Sequence, residues 1–387
     1  MRTFLLVITI FTNNNLIIKL KSIFLAHYTT YALIYMLIKQ LTFTRFLAAL
    51  IIVLFHYGSS AFPFNHGMLN HFIQNGPFAV SFFFCLSGYI LSQVYYQTNF
   101  VKINIRQYLS KRFARIYPVY FLAFIFTLAL GIFFNNSTHK GLSIILQLFA
   151  LHAWFPGICL EINYPAWTIS VEMFFYLSFP FLLNFFQKQT NRKIYTMAFI
   201  IWLLSLITRI VLVTVPTQSS EIWNQFVFFN PVFHINAFIF GMAASIVVKR
   251  TFNSFNYAKY FNSLVLLIVT ILIFIVISTD NIFLPWGHSG LYSPLFVVII
   301  ISLHANSNFL TKTISMPIFM FLGEISFGIY ILQHPIRILF ELITKNLIIN
   351  QTLSFYLFLA LLISISSIIY VFIEKPARIW FSQKLGS

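Results

Sequence analysis

Apolar windows recur along the chain at about 42–58, 77–95, 118–134, 168–187, 195–215, 233–249, 262–278, 291–304, 317–338 and 353–373. Crossing the hydrocarbon core takes roughly 20 helical residues, somewhat fewer where the helix is short and flanked by interfacial groups. The pattern therefore predicts about ten transmembrane helices in an all-α polytopic membrane protein. A further window at 143–155 is too short and runs into Pro156 and Gly157, which predicts a re-entrant or half-helix. The first stretch, Met1 to Phe11, is broken by three asparagines and lacks a small-residue cleavage site, so no secretory signal is assigned. Ser22 to Ile38 is almost long enough to span, but little chain separates it from the next window. Residues 1–40 are read as an N-terminal extension, either an interfacial helix or a segment preceding an alternative start at Met36. Residues 41–380 form one membrane domain, and 381–387 a short cytoplasmic tail.

Composition narrows the class further. The 387 residues are 59% hydrophobic and only 8% charged, which excludes an ordinary soluble domain. The formal net charge of +17 does not point to nucleic acid, because the cations are dispersed between apolar windows. Seventeen of the 24 Lys and Arg residues fall on one side of a ten-span topology, and Lys140, Arg209, Arg337 and Lys345 on the other. The positive-inside rule then puts both domain ends in the cytoplasm and sends Asn65 and His288 outward. A full span at 143–155 would invert every later loop and destroy that asymmetry. The two cysteines, Cys85 and Cys159, have no metal-binding or CxxC spacing, and no metal site is expected.

The scarcity of charge makes each ionisable residue inside a window informative. Thr42 to Tyr57 contains two, Arg45 and His56. Eleven residues apart on a helix, they face nearly the same way, with about 16 Å of axial separation. Two readings stand for this pair: a functional site, or a snorkelling Arg and a His in a wet crevice. Lys111, Arg112 and Arg115 in YLSKRFARIYPVYF lie within a helical turn and make either an anion site or an ordinary cytoplasmic cluster; Tyr117-Pro118 marks the start of the next span. Ser87-Gly88 inside the second span predicts close helix packing rather than a nucleophile.

PAWTISVEMFFYLSFP puts Trp167 at the outer interface and Glu172 just inside, where it could pair with His56 to orient or charge the imidazole, or make a helix-packing hydrogen bond. Ser326, Tyr330 and His334 recur every four residues, a polar stripe that lines a cavity or contacts a neighbouring helix, before Pro335 kinks or ends the regular helix. Glu324 reads as snorkelling at the inner end, and Glu374 as a partner for a nearby Arg.

Taken in order, Arg45-x10-His56, FFFCLSGYIL, KRFARIYPVY, WTISVEMFFY, SFGIYILQHP and EKPAR resemble the acyltransferase-3 family of membrane O-acyltransferases over roughly Leu41 to Trp380. The resemblance implies ten spans in a bacterial inner (plasma) membrane. It implies an acyl-CoA donor, with acetyl-CoA expected, taken from the cytoplasm. It further implies transfer to a hydroxyl of a carbohydrate or lipid-linked glycan acceptor, such as lipopolysaccharide or exopolysaccharide, at the outer side. It assigns Arg45 and His56 to the family's Arg/His pair, with His56 as base or acyl carrier, and matches Arg112 and Arg115 to a CoA-phosphate contact beside Lys111. Trp167, Ser170 and Glu172 match a WSLxxE-like segment. The expected catalytic set is thus His56, Glu172 and Arg45, with Ser170, Tyr330 and His334 as oxyanion or acceptor candidates. The alternative reading is a transporter or flippase for a lipid-linked or anionic solute.

Overall fold

The computed structural model describes residues 40–96, 104–134, 141–214, 221–252, 254–278 and 289–386. The N-terminal extension with its Met36 start, Lys102, Lys140 and the outward assignment of His288 lie outside these residues. Among the described residues the chain is helical, without strands.

Helices stand at all ten apolar windows: α1 (Gln40–Tyr57), α3 (Phe78–Tyr95), α4 (Ile105–Phe134), α6 (Trp167–Gln187), α7 (Asn191–Thr214), α9 (Ile235–Thr251), α11 (Ser263–Ser278), α12 (Ser293–Ala305), α14 (Pro317–Thr344) and α15 (Gln351–Ile369). Between them lie α2 (Gly67–Gln74), α5 (Gly141–Leu148), α8 (Glu221–Phe229), α10 (Tyr257–Tyr260) and α13 (Phe309–Ile314). A π-turn over Tyr370–Glu374 joins α15 to α16 (Lys375–Gly386). Seven helical segments among the described residues are long and apolar enough to cross a bilayer, while α11 and α12 are shorter apolar helices. The fold is that of an all-α polytopic membrane protein.

Two glycines explain how the centre is built. A Cβ on Gly88 of α3 would sit 2.1 Å from the Phe238 carbonyl oxygen, and one on Gly241 of α9 would sit 1.9 Å from the Cys85 carbonyl oxygen. Only reciprocal glycines let these two backbones touch, the small-residue packing that membrane helices use where apolar burial gives no drive. Gly88 is therefore a packing element, as its sequence suggested, whereas Ser87 lines a cavity with Arg45 and Glu172. Burial grades outward from this crossing. Some 78% of the most apolar window of Pro231–Thr251 is buried, against 17% in α7 and in the segment beginning with α15. Both peripheral helices expose apolar rows, such as Phe199, Leu203 and Ile207 on α7, as lipid-facing surfaces do.

Three local expectations are altered. α4 does not begin at Pro118 but runs through it, so Arg112 and Arg115 belong to the same continuous helix as the span. Proline removes one internal hydrogen bond, which neighbouring packing makes tolerable in a membrane helix. Likewise α14 continues past Pro335 to Thr344. The third change concerns Glu324, which does not snorkel but pairs with Arg378 at 2.8 Å, and Arg378 also grips Glu374. The 143–155 window is a half-helix, as expected: α5 stops at Leu148, Ala150 turns with φ 54°, and the Leu151 amide donates to the Leu146 carbonyl at 2.7 Å. Its orphan carbonyls are met from α4, by Tyr117 on Leu148 (3.1 Å) and by Tyr120 on Gln147.

Candidate active site

α1 carries both ends of the site. Its inner half is held close to α14, where a Cβ on Gly323 would lie 2.3 Å from the Thr42 carbonyl oxygen. Arg45 follows three residues later. Around it, Arg112 and Arg115 of α4 enter from one side and Glu324 and Arg378 from another, lining a cavity of about 280 Å³ whose rim includes Lys111. The two carboxylates here, Glu324 and Glu374, are committed to Arg378. Among the described residues Arg45, Arg112 and Arg115 form no ion pair. Arg112 rests its guanidinium on the Tyr95 ring at 5.8 Å and leaves a buried Nε without a hydrogen-bond partner among these residues. Three guanidinium groups thus border one cavity without forming an ion pair among the described residues, an arrangement chemically suited to an anion.

The cavity continues outward. Arg45, Ile90, Arg112 and Arg115 also wall a narrower one, of about 50 Å³, which Glu172 and Tyr176 close from α6. Arg45, Phe83, Glu172 and Phe327 in turn border a third, of about 40 Å³, with Thr168, Ser326 and Tyr330. Tyr330 and Val80 then border the last and widest, about 470 Å³, which contains His56. A line of four cavities with shared walls thus follows α1 from Arg45 to His56. The two narrow ones are large enough for a few waters.

The outer end is aromatic. The Tyr164 ring sits between two imidazoles, 4.7 Å from His56 and 4.6 Å from His334. Its hydroxyl donates to that of Tyr57 at 2.5 Å. The Tyr330 hydroxyl donates to the Pro165 carbonyl at 3.0 Å, which ties α14 to the turn before α6. Arg337, over the Tyr57 ring at 5.5 Å, is paired with Glu341 at 2.7 Å.

Not every candidate meets the others. Arg45, Lys111, Arg112 and Arg115 come together, and Glu172 joins the three arginines. The structure separates Glu172 from His56, however. Glu172 accepts a hydrogen bond from Tyr176 at 2.8 Å and lines the two narrow cavities, whereas His56 lines the wide one. Glu172 lies five residues, about 7.5 Å, along α6 from Trp167, which lines the wide cavity with His56. Ser170, two residues before Glu172 and so about 200° around the helix, points away from the passage. Its hydroxyl meets His152 Nδ1 at 3.3 Å and accepts from the Ala153 amide at 3.3 Å. Trp167 is not an interfacial anchor but a buried wall of the wide cavity, packed on Phe229 and His234, each at 5.0 Å. Ser326 and Tyr330 do line cavities, and His334 reaches the same region through Tyr164.

Sequence reasoning missed Tyr164, Arg378 and the Phe228–Phe229 wall, and it gave Tyr176, one turn beyond Glu172, no role. Arg378 stood in the EKPAR motif with its i,i+4 partner Glu374, and that spacing was the available signal. Phe228 and Phe229 carry none, being two of 50 phenylalanines. Among the described residues no group of three or more His, Cys, Asp or Glu could hold a metal ion.

These features define a helical membrane protein with a cation-walled cavity at one depth and an imidazole at another. A family model described as an acyltransferase domain, acyltransferase-3, matches residues 38–372, and the chain belongs to that family. Among similar curated proteins is the acyltransferase MdmB of Streptomyces mycarofaciens, 30% identical over 41% of this chain and 42% of the relative. A putative acetyltransferase, ORF330, of Acidianus two-tailed virus is 26% identical over 60% and 65%, respectively. A putative O-acetyltransferase of Staphylococcus aureus (strain COL) is 24% identical over 79% and 53%. The chain thus spans between 42% and 65% of the length of these relatives. No solved structure matches it significantly.

Proposed function

We propose that this protein is an integral-membrane O-acyltransferase of the bacterial inner membrane, moving an acyl group, acetyl foremost, from cytoplasmic acyl-CoA to a carbohydrate hydroxyl at the outer side. The observation that carries the reading is the line of cavities along α1, with three arginines that form no ion pair among the described residues at one end and His56 at the other. Family membership and the names of the relatives support it.

In this reading Lys111, Arg112 and Arg115 hold the donor's phosphates, where bidentate guanidinium contacts suit phosphate oxygens. Arg45 contacts the phosphates or the start of the pantetheine arm. The arm runs along the narrow cavities past Glu172, whose carboxylate balances part of the arginine charge. Eleven residues of helix, about 16 Å, then separate Arg45 from His56, a distance of the order of an extended pantetheine. His56 takes the proton of the acceptor hydroxyl as that oxygen attacks the thioester carbonyl. The carbon–sulfur bond breaks, the thiolate leaves with a proton returned from the imidazole, and an ester remains on the acceptor. The tetrahedral oxyanion needs a donor; the candidates are Tyr330, which lines this cavity and would have to release the Pro165 carbonyl, and His334, which stacks on the far side of the Tyr164 ring.

Membranes or purified protein given radiolabelled acetyl-CoA test this reading. The label should pass to glycan, and His56→Ala should lower the rate by about 10²–10⁴-fold, as expected for a lost general base, while acyl-CoA still binds. Near wild-type transfer by His56→Ala would remove His56 from the chemistry. If wild-type protein leaves the label on CoA and moves a solute instead, the same passage belongs to a transporter.

A further inference from the structure

Among the described residues, His56 is the one side chain lining the wide cavity that could carry a cationic charge. The cavity wall is aromatic: Phe55, Trp167, Phe228, Phe229 and Tyr330 are among the described lining residues, and no described Asp, Glu, Lys or Arg is. Arg337, the cation nearest in chain to this end of α14, is already paired with Glu341 and stacked on Tyr57. The inner cavities, by contrast, are walled by arginines. Charge is thus segregated along the passage, with anion recognition at one end and flat apolar faces at the other.

The aromatic wall is also fixed in place. Phe229 packs on Trp167 at 5.0 Å, and His234 Nε2 lies 2.9 Å from the Phe228 carbonyl oxygen. Behind Phe228, Arg209 is fully buried. Its guanidinium stacks on Phe228 at 5.8 Å and Phe233 at 5.6 Å, and Nη2 reaches the Phe233 carbonyl at 3.4 Å. Arg209 props this wall from outside the cavity and is not among the residues that line it.

We propose that the His56 cavity is a subsite for an uncharged sugar ring, stacked by its C–H face on the Phe228, Phe229 and Trp167 wall, and that it discriminates against anionic sugars. This deepens the acyl-transfer reading and rests on it. A pocket of about 470 Å³ is within the usual range for a small ligand, and such pockets are largely apolar with a few polar groups that orient. His56 supplies the polar contact, to the hydroxyl that reacts. A carboxylate brought into the same space would lose hydration without gaining a cation from the described lining residues, which is costly. A neutral ring loses little, because its hydroxyls at the open side stay wet.

The test uses full-length protein in nanodiscs, with methyl β-glucoside and methyl β-glucuronide as probes of equal size. Saturation-transfer NMR reads weak binding directly and reports which ring protons touch the wall. The expected result is binding of the glucoside with the strongest transfer to one C–H face, and binding of the glucuronide about tenfold weaker or worse. Phe229→Leu should weaken the glucoside severalfold while acyl-CoA binding holds, which separates stacking from misfolding. Equal or tighter glucuronide binding would overturn the proposal and assign the cavity to an anion drawn by Arg209. Absence of glucoside binding at millimolar concentration would overturn it too. Acetyl transfer from labelled acetyl-CoA is measured in parallel. Neutral-ring binding without any transfer refutes the catalytic reading and leaves the subsite; transfer to glucuronide as fast as to glucoside does the reverse.

Discussion

Replacing Arg115 by alanine should weaken acyl-CoA binding and strengthen the fold at the same time. Arg115 lines both inner cavities, and Arg45 and Arg112 line them with it. Among the described residues the only carboxylate at the narrow cavity is Glu172, which accepts from Tyr176. Removing one guanidinium removes a charge-assisted hydrogen bond to phosphate, worth about 1.5–3 kcal/mol, so affinity should fall about 10- to 100-fold. It also removes like-charge repulsion. Two guanidinium groups across a cavity at about 8 Å repel by about 2 kcal/mol at an effective dielectric of about 20. Part of that is lost to solvent and to Glu172, leaving a net gain in stability on the order of 1 kcal/mol. Filter binding of labelled acetyl-CoA to purified protein, with and without added salt, gives the affinity; thermal unfolding in the same detergent gives the stability. Unchanged affinity would return the arginines to a topology signal. Weakened affinity with a lowered melting temperature would mean that Arg115 holds the fold together and that its effect on the donor is indirect.

Glu172→Gln should change donor affinity rather than the pH dependence of transfer, because Glu172 borders the arginines and not His56; a shifted pH–rate profile would restore the carboxylate–imidazole pair. Gly241→Ala should prevent stable insertion, since its Cβ would meet the Cys85 carbonyl oxygen at 1.9 Å; overpacking typically costs 1–3 kcal/mol and a backbone contact this close should cost about 3 or more, read as loss of monodisperse protein by size exclusion. Single cysteines at Asn65 and at Lys259 should differ in intact cells, the first reacting with an impermeant thiol reagent and the second protected, and the opposite pattern would invert the topology.

How far the sequence reached depends on which interactions decide each feature. Helix positions were legible because lipid permits few backbone solutions: an apolar run of sufficient length has to be a helix, and helices α1, α3, α4, α6, α7, α9, α11, α12, α14 and α15 stand at the ten windows, seven of the segments among the described residues being long and apolar enough to cross a bilayer. Arg45 and His56 were legible for a related reason. Ionisable groups inside such runs are rare, and one helix fixes their spacing whatever surrounds it. The half-helix at α5 followed from its length. Continuity of α4 through Pro118 did not, because whether a proline ends a helix depends on the neighbours that re-satisfy the freed carbonyl.

Contacts between helices were decided only by the tertiary structure. Ser170 and Glu172 look equivalent in WTISVEMFFY, yet a rotation of about 200° sends one to His152 and the other to the arginines. The sequence shows both residues but not the azimuth of α6, which is set by how its aromatic face packs on Phe84 and Phe238. Phe228 and Phe229 wall the His56 cavity only because the end of α8 meets the start of α6 at the Phe229–Trp167 contact, and nothing local distinguishes them from lipid-facing phenylalanines elsewhere. By itself the sequence determined which segments are helices and which rare charges they carry, since those follow from the bilayer as solvent. Which charges face one another, and which aromatic faces enclose His56, required the packed bundle, because that is set by side-chain complementarity between segments distant in the chain.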